Sequence, residues 1–506
     1  MDEAGYGDIR VLAKGTGIAL PGQVLGRVLT FGGHVVLARL LGPDGFGLFA
    51  LGWTLLKVGT LAAAFGLPIG VVRLGSIEWQ KNPARFRGVL LQSLASSLAA
   101  GASLGAALFL AAPWLSTNIF HHAGLVPVLR LVAPGIALAS TLEVAASATR
   151  ITRRMQFAIL AKEVIQPGLY VILPAAAWLL GWGLPGVVLA VLATYLAALL
   201  VAVFFLARLF PELTALASGV ESAFGELLRL SLPVSLAATF ATMTIWVDRL
   251  IIGAFRPAAD VGVYQAVSQA STLFSVILAA ISLVFGPMVA HLSAEHDRAR
   301  MLELFRVSTK WTLYASLPVL MVVWFAARNV VGVLYGAAYA SGAQALVLLT
   351  VGQILNAATG PTGPFLNMTG HHVTWFRLSG LALMTNIILG ILFVSRWGME
   401  GAAVATSISL GGLSLASLVA ARGVLGAWPY DRRFLKVGAA VLAMAAYLGA
   451  IVVLVPSGGL PRLALMAGGV LVVFAAVVWA LGFDGEDRTF FQVVRQVVGS
   501  RLGRQE

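Results

Sequence analysis

The sequence predicts an all-α polytopic membrane protein of about 14 transmembrane helices. Three observations predict it: 59% of the 506 residues are hydrophobic, only 11% are charged, and mean hydropathy is +0.92. Soluble domains carry about 25% charged residues. Apolar runs of about 20 residues recur almost from end to end between short polar breaks, the signature of helices that use lipid as solvent. Cysteine is absent, which excludes disulfides, thiolate metal sites and cysteine nucleophiles. A formal net charge of +13 raises nucleic acid as a partner, but the basic residues fall in alternate loops without an aromatic-lined stripe, so none is expected. Between Met1 and Lys14 lie Asp2, Glu3 and Asp8 and no small-residue cleavage site. The first apolar segment is therefore expected to stay as an anchor.

Apolar length, punctuated by Gly, Pro and charge, places helices near 15 to 38, 45 to 72, 88 to 112, 124 to 148, 158 to 180 and 184 to 207. A second set falls near 230 to 254, 262 to 288, 308 to 334, 342 to 366, 374 to 394 and 400 to 421. A final pair falls near 435 to 455 and 462 to 482. Within the tenth span, Gly360-Pro361-Thr362-Gly363-Pro364 should break the helix. Lys and Arg divide 25 to 5 between the side of the N-terminus and the other side, which places both termini in the cytoplasm of a bacterial plasma membrane. After Asp484 the tail puts Phe490, Phe491, Val494, Val497 and Val498 on one helical face, as expected of a segment lying on the cytoplasmic leaflet.

Two stretches recur at nearly one offset, 215 residues from Trp182 to Trp397 and again from Gly47 to Gly262. Trp182-Gly183-Leu184-Pro185-Gly186 matches Trp397-Gly398-Met399-Glu400-Gly401, and Arg39-Leu40-Leu41-Gly42 with Gly47-Leu48-Phe49 echoes Arg249-Leu250-Ile251-Ile252-Gly253 with Gly262-Val263-Tyr264. A duplicated six-helix unit would give this, with the two copies as parallel repeats around a central cavity. The expected organisation is a six-helix bundle over 1–207, a cytoplasmic linker over 208–229, a second six-helix bundle over 230–421, two additional helices over 422–482 and an amphipathic tail over 483–506.

Charges at membrane depth mark the candidate site. Arg27 and Lys57 sit near the middle of the first two spans, where a cation facing lipid costs about 2.5 to 3.5 kcal/mol. They should face water or a partner. Gln23, Arg27, Thr30 and His34 share one face of the first span, and Ser235, Thr239, Thr242, Trp246 and Arg249 share one face of the seventh. Both stripes are expected to line one cavity, with Gln265, Gln269 and Thr272 of the eighth span and Gln353 and Asn356 of the tenth as further polar candidates. Asp248 and Glu143 are the acids at depth; structural pairing and ion coupling both remain open for them. His121-His122 and His371-His372 lack helix-spaced partners, and no phosphate loop, nucleophile elbow or acidic loop pair occurs. No catalytic residue, metal site or cofactor is expected, and the chain carries no nucleotide-driven motor.

The turn Arg39-Leu40-Leu41-Gly42-Pro43-Asp44-Gly45-Phe46-Gly47-Leu48-Phe49 resembles the hallmark of Wzx-type polysaccharide flippases. Val247-Asp248-Arg249-Leu250-Ile251-Ile252-Gly253 with Val261-Gly262-Val263-Tyr264 resembles that family's second-half signature. The resemblance covers most of the chain and implies membership of the multidrug/oligosaccharidyl-lipid/polysaccharide exporter superfamily, working by alternating access. It implies transport of an undecaprenyl-pyrophosphate-linked glycan from the cytoplasmic to the periplasmic leaflet, with glycosyltransferases and a glycan polymerase as partners. Arg27 and Lys57 would then supply a cationic cavity for pyrophosphate and acidic sugars. Lipid II flippases and multidrug extruders share the implied architecture and stay open. The former resemble this chain less at the first helix, where their Arg is followed by Asp and Arg27 is followed by Val28.

Overall fold

A computed structural model describes residues 3–152, 154–211, 221–455, 459–482 and 484–487, with side chains from residue 21 onward except at 230, 232–238, 241, 273, 274 and 276. The amphipathic tail from Phe490 and residues 212–220 of the 208–229 linker lie outside the described residues. Among the described residues every regular element is helical, as the sequence predicts. The order is α1 (Glu3–Ala64), α2 (Leu67–Glu78), α3 (Pro83–Trp114), α4 (Leu125–Ala148), α5 (Gln156–Ile159), α6 (Gln166–Leu179), α7 (Gly183–Leu209), α8 (Phe224–Phe255) and α9 (Ala258–Ala294). Then follow α10 (Arg298–Tyr335), α11 (Ala343–Thr359), α12 (Thr362–Met368), α13 (His372–Leu425), α14 (Phe434–Leu454) and α15 (Leu460–Ala480). Eleven helical stretches among the described residues are long and apolar enough to cross a membrane. The chain is a multi-pass membrane protein.

Two of these stretches are 58 and 54 residues long, about twice what one crossing needs. Within them α1 and α13 each contain one non-helical glycine: Gly42 at φ 66, ψ 175 in α1, and Gly398 at φ 60, ψ −134 in α13. This shortens the connection expected over 39–44, because the break between the two helices is carried by Gly42. Glycine alone adopts that φ at little cost, and Pro43, with φ preset and no N–H to satisfy, starts the next helical turn. The span expected over 45 to 72 also ends early, at Ala64, where Phe65 (φ 43) and Gly66 (φ 72) turn the chain into α2. Gly183 and Gly398, at equivalent places in the 215-residue match, take φ 61 and φ 60. The predicted break in the tenth span is present: α11 ends at Thr359, Gly360 has φ 70, and α12 begins at Thr362.

The chain forms two compact units. The first comprises residues 1–270, 334–345 and 379–406. Within it the turn after Gly42 packs directly on the start of α9. A Cβ at Gly47 would overlap the Ala258 carbonyl and lie 3.1 Å from the Gly262 nitrogen; a Cβ at Gly262 would overlap the Pro43 carbonyl and lie 2.9 Å from the Gly47 nitrogen. Backbone here touches backbone, as small residues permit between membrane helices. The same turn is held from a second side, since Arg39 Nε donates to the Leu334 carbonyl at 2.8 Å and the Tyr339 hydroxyl donates to the Ala38 carbonyl at 2.6 Å. At the other end of this unit the described end of the linker docks on α3. Asn82 Nδ2 donates to Glu221 at 3.0 Å, Ala223 N donates to Gln92 at 3.0 Å, and Arg85 pairs with Glu226.

The second unit comprises residues 271–333, 346–378 and 407–506. One apolar cluster joins Leu313, Leu317 and Val322 of α10 to Val437, Met444 and Leu448 of α14 and Met466 and Val470 of α15. Beside it lies a charge cluster that the sequence did not disclose. Lys310 of α10 is 1% exposed, and its Nζ donates to Glu486 at 2.7 Å, Asp487 at 3.0 Å and Asp484 at 3.1 Å. Trp311 Nε1 also donates to Asp487 at 3.0 Å, Lys436 pairs with Asp484 at 2.6 Å, and Arg433 pairs with Glu303 at 2.6 Å and Glu486 at 3.1 Å. The residues following α15 are thereby tied to α10 and α14.

Candidate substrate cavity

The first unit contains a polar cavity of two chambers that share Lys57, Glu143 and Trp246. One, of about 240 Å³, is also bordered by Thr30, His34, Trp53, Lys162, Glu163, Gln166, Tyr170, Tyr195 and Gln269. The other, of about 270 Å³, is bordered by Thr60, Pro68, Thr239 and Thr242. The walls thus come from both halves of α1, from α4, α6 to α9 and from the turn at Gly66 to Ile69. Between α5 and α6 the residues Leu160–Ile165 form one turn of wider π-helix. Such a turn shifts the helical register by one residue; Lys162, Glu163 and Gln166 all border the cavity.

Charge in the cavity is mostly paired. Lys162 Nζ lies 2.5 Å from Glu143 Oε2, so Glu143, one of the two acids left open by the sequence, has a cationic partner. Lys57 is held between rings, its Nζ 4.9 Å from the Trp53 centroid and 5.5 Å from that of Tyr195, distances at which the ring quadrupoles stabilise a cation. Trp53 in turn packs 5.4 Å from Tyr170 and 6.0 Å from Tyr195. His34 closes this aromatic wall, its Nδ1 donating to the Thr30 carbonyl at 2.8 Å and its Nε2 3.4 Å from the Tyr170 hydroxyl.

The structure distributes the expected site residues unevenly. Lys57, His34, Thr242, Trp246, Gln269 and Glu143 border the cavity, as do Thr30 and Thr239 of the two stripes. Ser235 of the second stripe lies outside the described side chains. Arg27 is exposed and borders neither chamber, and Gln23 is half-buried and borders neither. Gln353 lies half-buried on α11 in the second unit.

Arg249 and Gln265 border neither chamber and are 1% exposed. Arg249 Nε donates to Gln265 Oε1 at 2.9 Å, and its two other nitrogens reach the Ile245 carbonyl and the Ser268 hydroxyl. Its guanidinium carbon stands 5.3 Å from the Trp246 centroid. The pair therefore fixes the back of a tryptophan that borders both chambers. Asp248, 2% exposed, accepts from the Tyr264 hydroxyl at 2.8 Å and the Thr406 hydroxyl at 2.7 Å, while Arg249 Nη1 is 3.9 Å away. It is hydrogen-bonded across helices more closely than it is ion-paired.

Sequence reasoning missed Trp53, Tyr170, Tyr195, Lys162, Glu163 and Gln166. Lys162, Gln166 and Tyr170 recur at i, i+4 and i+8 within the span expected over 158 to 180, a spacing close to the i, i+4, i+7, i+11 of the other two stripes.

A family model described as polysaccharide biosynthesis protein matches residues 36–344. A probable low-salt glycan biosynthesis flippase, Agl15, of Haloferax volcanii is 21% identical over 164 residues, covering 32% of this chain and 35% of the relative. The match thus spans about a third of that relative's length. Among solved structures, the lipid II flippase MurJ in an inward closed conformation is similar with a TM-score of 0.72 at 16% identity, over 90% of this chain and 96% of that one. An inward-facing multidrug resistance MATE family transporter of the MOP superfamily is similar with a TM-score of 0.67 at 17% identity, over 79% of this chain and 94% of that one. At these identities the structural likeness is one of fold.

Proposed function

This chain belongs to the family of polysaccharide biosynthesis proteins, and on that premise we propose that it is a flippase moving a polyprenyl-pyrophosphate-linked oligosaccharide between leaflets by alternating access. The fold is that of transporters of the MOP superfamily. The observation that carries the reading is the cavity around Lys57: charged, amide and hydroxyl groups gathered within a helical membrane unit of this family, where an idle polar lining would be costly. The flippase named among the relatives points the same way. Undecaprenyl is the proposed carrier, with glycosyltransferases supplying the glycan and a polymerase consuming it. Lys57 is the cavity's cation, and Arg27, within one turn of Thr30, is the proposed pyrophosphate contact outside it.

The organisation proposed with this function is two six-helix bundles over 1–207 and 230–421, two further helices over 422–482, fourteen crossings in all and both termini cytoplasmic. A reporter fused after Glu506 should read cytoplasmic and one after Gly458 periplasmic; a periplasmic reading at Glu506 rejects this topology.

Transport is proposed to be driven by an ion gradient, with Asp248 as the coupling acid and Glu143 held by Lys162. In proteoliposomes, Lys57→Ala should reduce flipping of a fluorescent lipid-linked sugar by about tenfold or more. Asp248→Asn should flip at a rate that no longer depends on an imposed pH or sodium gradient. Wild-type rates for Lys57→Ala reject its role. Gradient-independent flipping by the wild type rejects the coupling.

A further inference from the structure

We propose that the two-chambered cavity reads the sugar rather than the pyrophosphate, and that the sugar it accepts is uncharged. The inference rests on the flippase reading and deepens it. Its first support is charge balance: the cavity's Lys and Glu residues are Lys57 and Lys162 against Glu143 and Glu163, two of each sign, and Lys162 is already 2.5 Å from Glu143. A pyrophosphate or a uronic acid brought into this space would face carboxylates as well as lysines, and would be desolvated without matching positive charge. The expectation of a cationic cavity needed Arg27, which borders neither chamber.

The second support is the kind of wall. Trp246, half-buried, presents its ring beside Gln166, Gln269, Glu163, Thr30 and Thr242, with the buried rings of Trp53, Tyr170 and Tyr195 forming the wall behind. A pyranose has apolar C–H faces that rest on aromatic rings, and an equatorial fringe of hydroxyls that each donate and accept. Amides, carboxylates and hydroxyls answer that fringe in both senses.

The third support is preorganisation. Trp246 borders both chambers and is backed by Arg249, itself fixed by Gln265, Ser268 and the Ile245 carbonyl. Such a buried network is justified when the ring it holds must keep one orientation. Arg249 and Gln265 are positioning residues for that platform.

The test uses the full chain in nanodiscs and three probes: farnesyl pyrophosphate, farnesyl pyrophosphate carrying N-acetylglucosamine, and the same lipid carrying glucuronic acid. The N-acetylglucosamine probe should bind about tenfold more tightly than the other two. Trp246→Ala should erase that preference, and Trp246→Phe should restore most of it. Glu143→Gln, which removes one negative charge, should improve binding of the glucuronic acid probe relative to wild type. Equal affinity for the bare and sugar-bearing lipids, preference for the uronic acid, or an unaltered preference in Trp246→Ala overturns the inference and leaves the flippase reading standing. Failure of all three probes to bind overturns both. Should Trp246→Ala not fold, Gln269→Leu replaces it, with loss of sugar preference expected and retention contradicting the proposal.

Discussion

Gly262→Ala is expected to lower the melting temperature of the detergent-solubilised protein by several degrees, and Gly262→Leu to leave little monodisperse protein. The added Cβ overlaps the Pro43 carbonyl, and nothing in that contact is a flexible side chain able to yield. Overpacking of this kind costs about 1 to 3 kcal/mol when surroundings can relax, and more when the obstacle is backbone. Gly47→Ala should behave alike, since its Cβ overlaps the Ala258 carbonyl. Gly332→Ala is the control, because no atom lies within 4 Å of a Cβ there. Size-exclusion profiles and melting curves decide the matter; equal stability of the Gly262 and Gly332 variants would contradict the backbone contact.

The second large effect is expected at Lys310. Removing one partner from a buried ionic cluster leaves the others desolvated and uncompensated, which costs about 3 to 5 kcal/mol. Lys310→Met should therefore cause a marked fall in melting temperature, and adding Asp487→Asn should recover part of it by deleting one stranded carboxylate. The cluster should also respond to acid. Burial raises the pKa of Asp484, but hydrogen bonds from Lys436 and Lys310 outweigh burial and hold it below its ordinary value of 3.8. A depressed carboxylate contributes stability that is present above that ordinary value and lost as pH falls through the lower folded one. Melting temperature should thus drop on acidification below about pH 4, less steeply in Asp484→Asn. Wild-type melting in Lys310→Met would remove the cluster from any account of stability.

The helical membrane fold was legible because every crossing requires a long apolar run, and the Wzx-type resemblance was legible in two motifs that fall within or across the family match at 36–344. Those motifs have a physical basis in Gly42, Gly47 and Gly262, where positive φ or backbone contact excludes side chains. Lys57 could be found because a cation at membrane depth demands an explanation. Arg27 met the same criterion and shares a helical face with Thr30 and His34, yet it borders neither chamber, because spacing along a face does not mark where a chamber ends. The aromatic wall was illegible, since Trp53, Tyr170 and Tyr195 lie among apolar residues and read as ordinary core. The Lys310 cluster was illegible for another reason: its members lie 174 to 177 residues from their partners, and no local pattern announces a pairing at that distance.

That separation has a consequence for how the protein is made. Lys310 leaves the ribosome well before Asp484, Glu486 and Asp487, so during synthesis it has none of the three carboxylates that neutralise it in the finished protein. Until the last helix has been inserted and these acids have followed it, α10 must keep this ammonium hydrated or held by a temporary partner. Closure of the second unit around α10, α14 and α15 is thereby reserved for the final stage of translation. A nascent chain truncated after Ala480 would carry all its long helices and still lack the charges that let them settle.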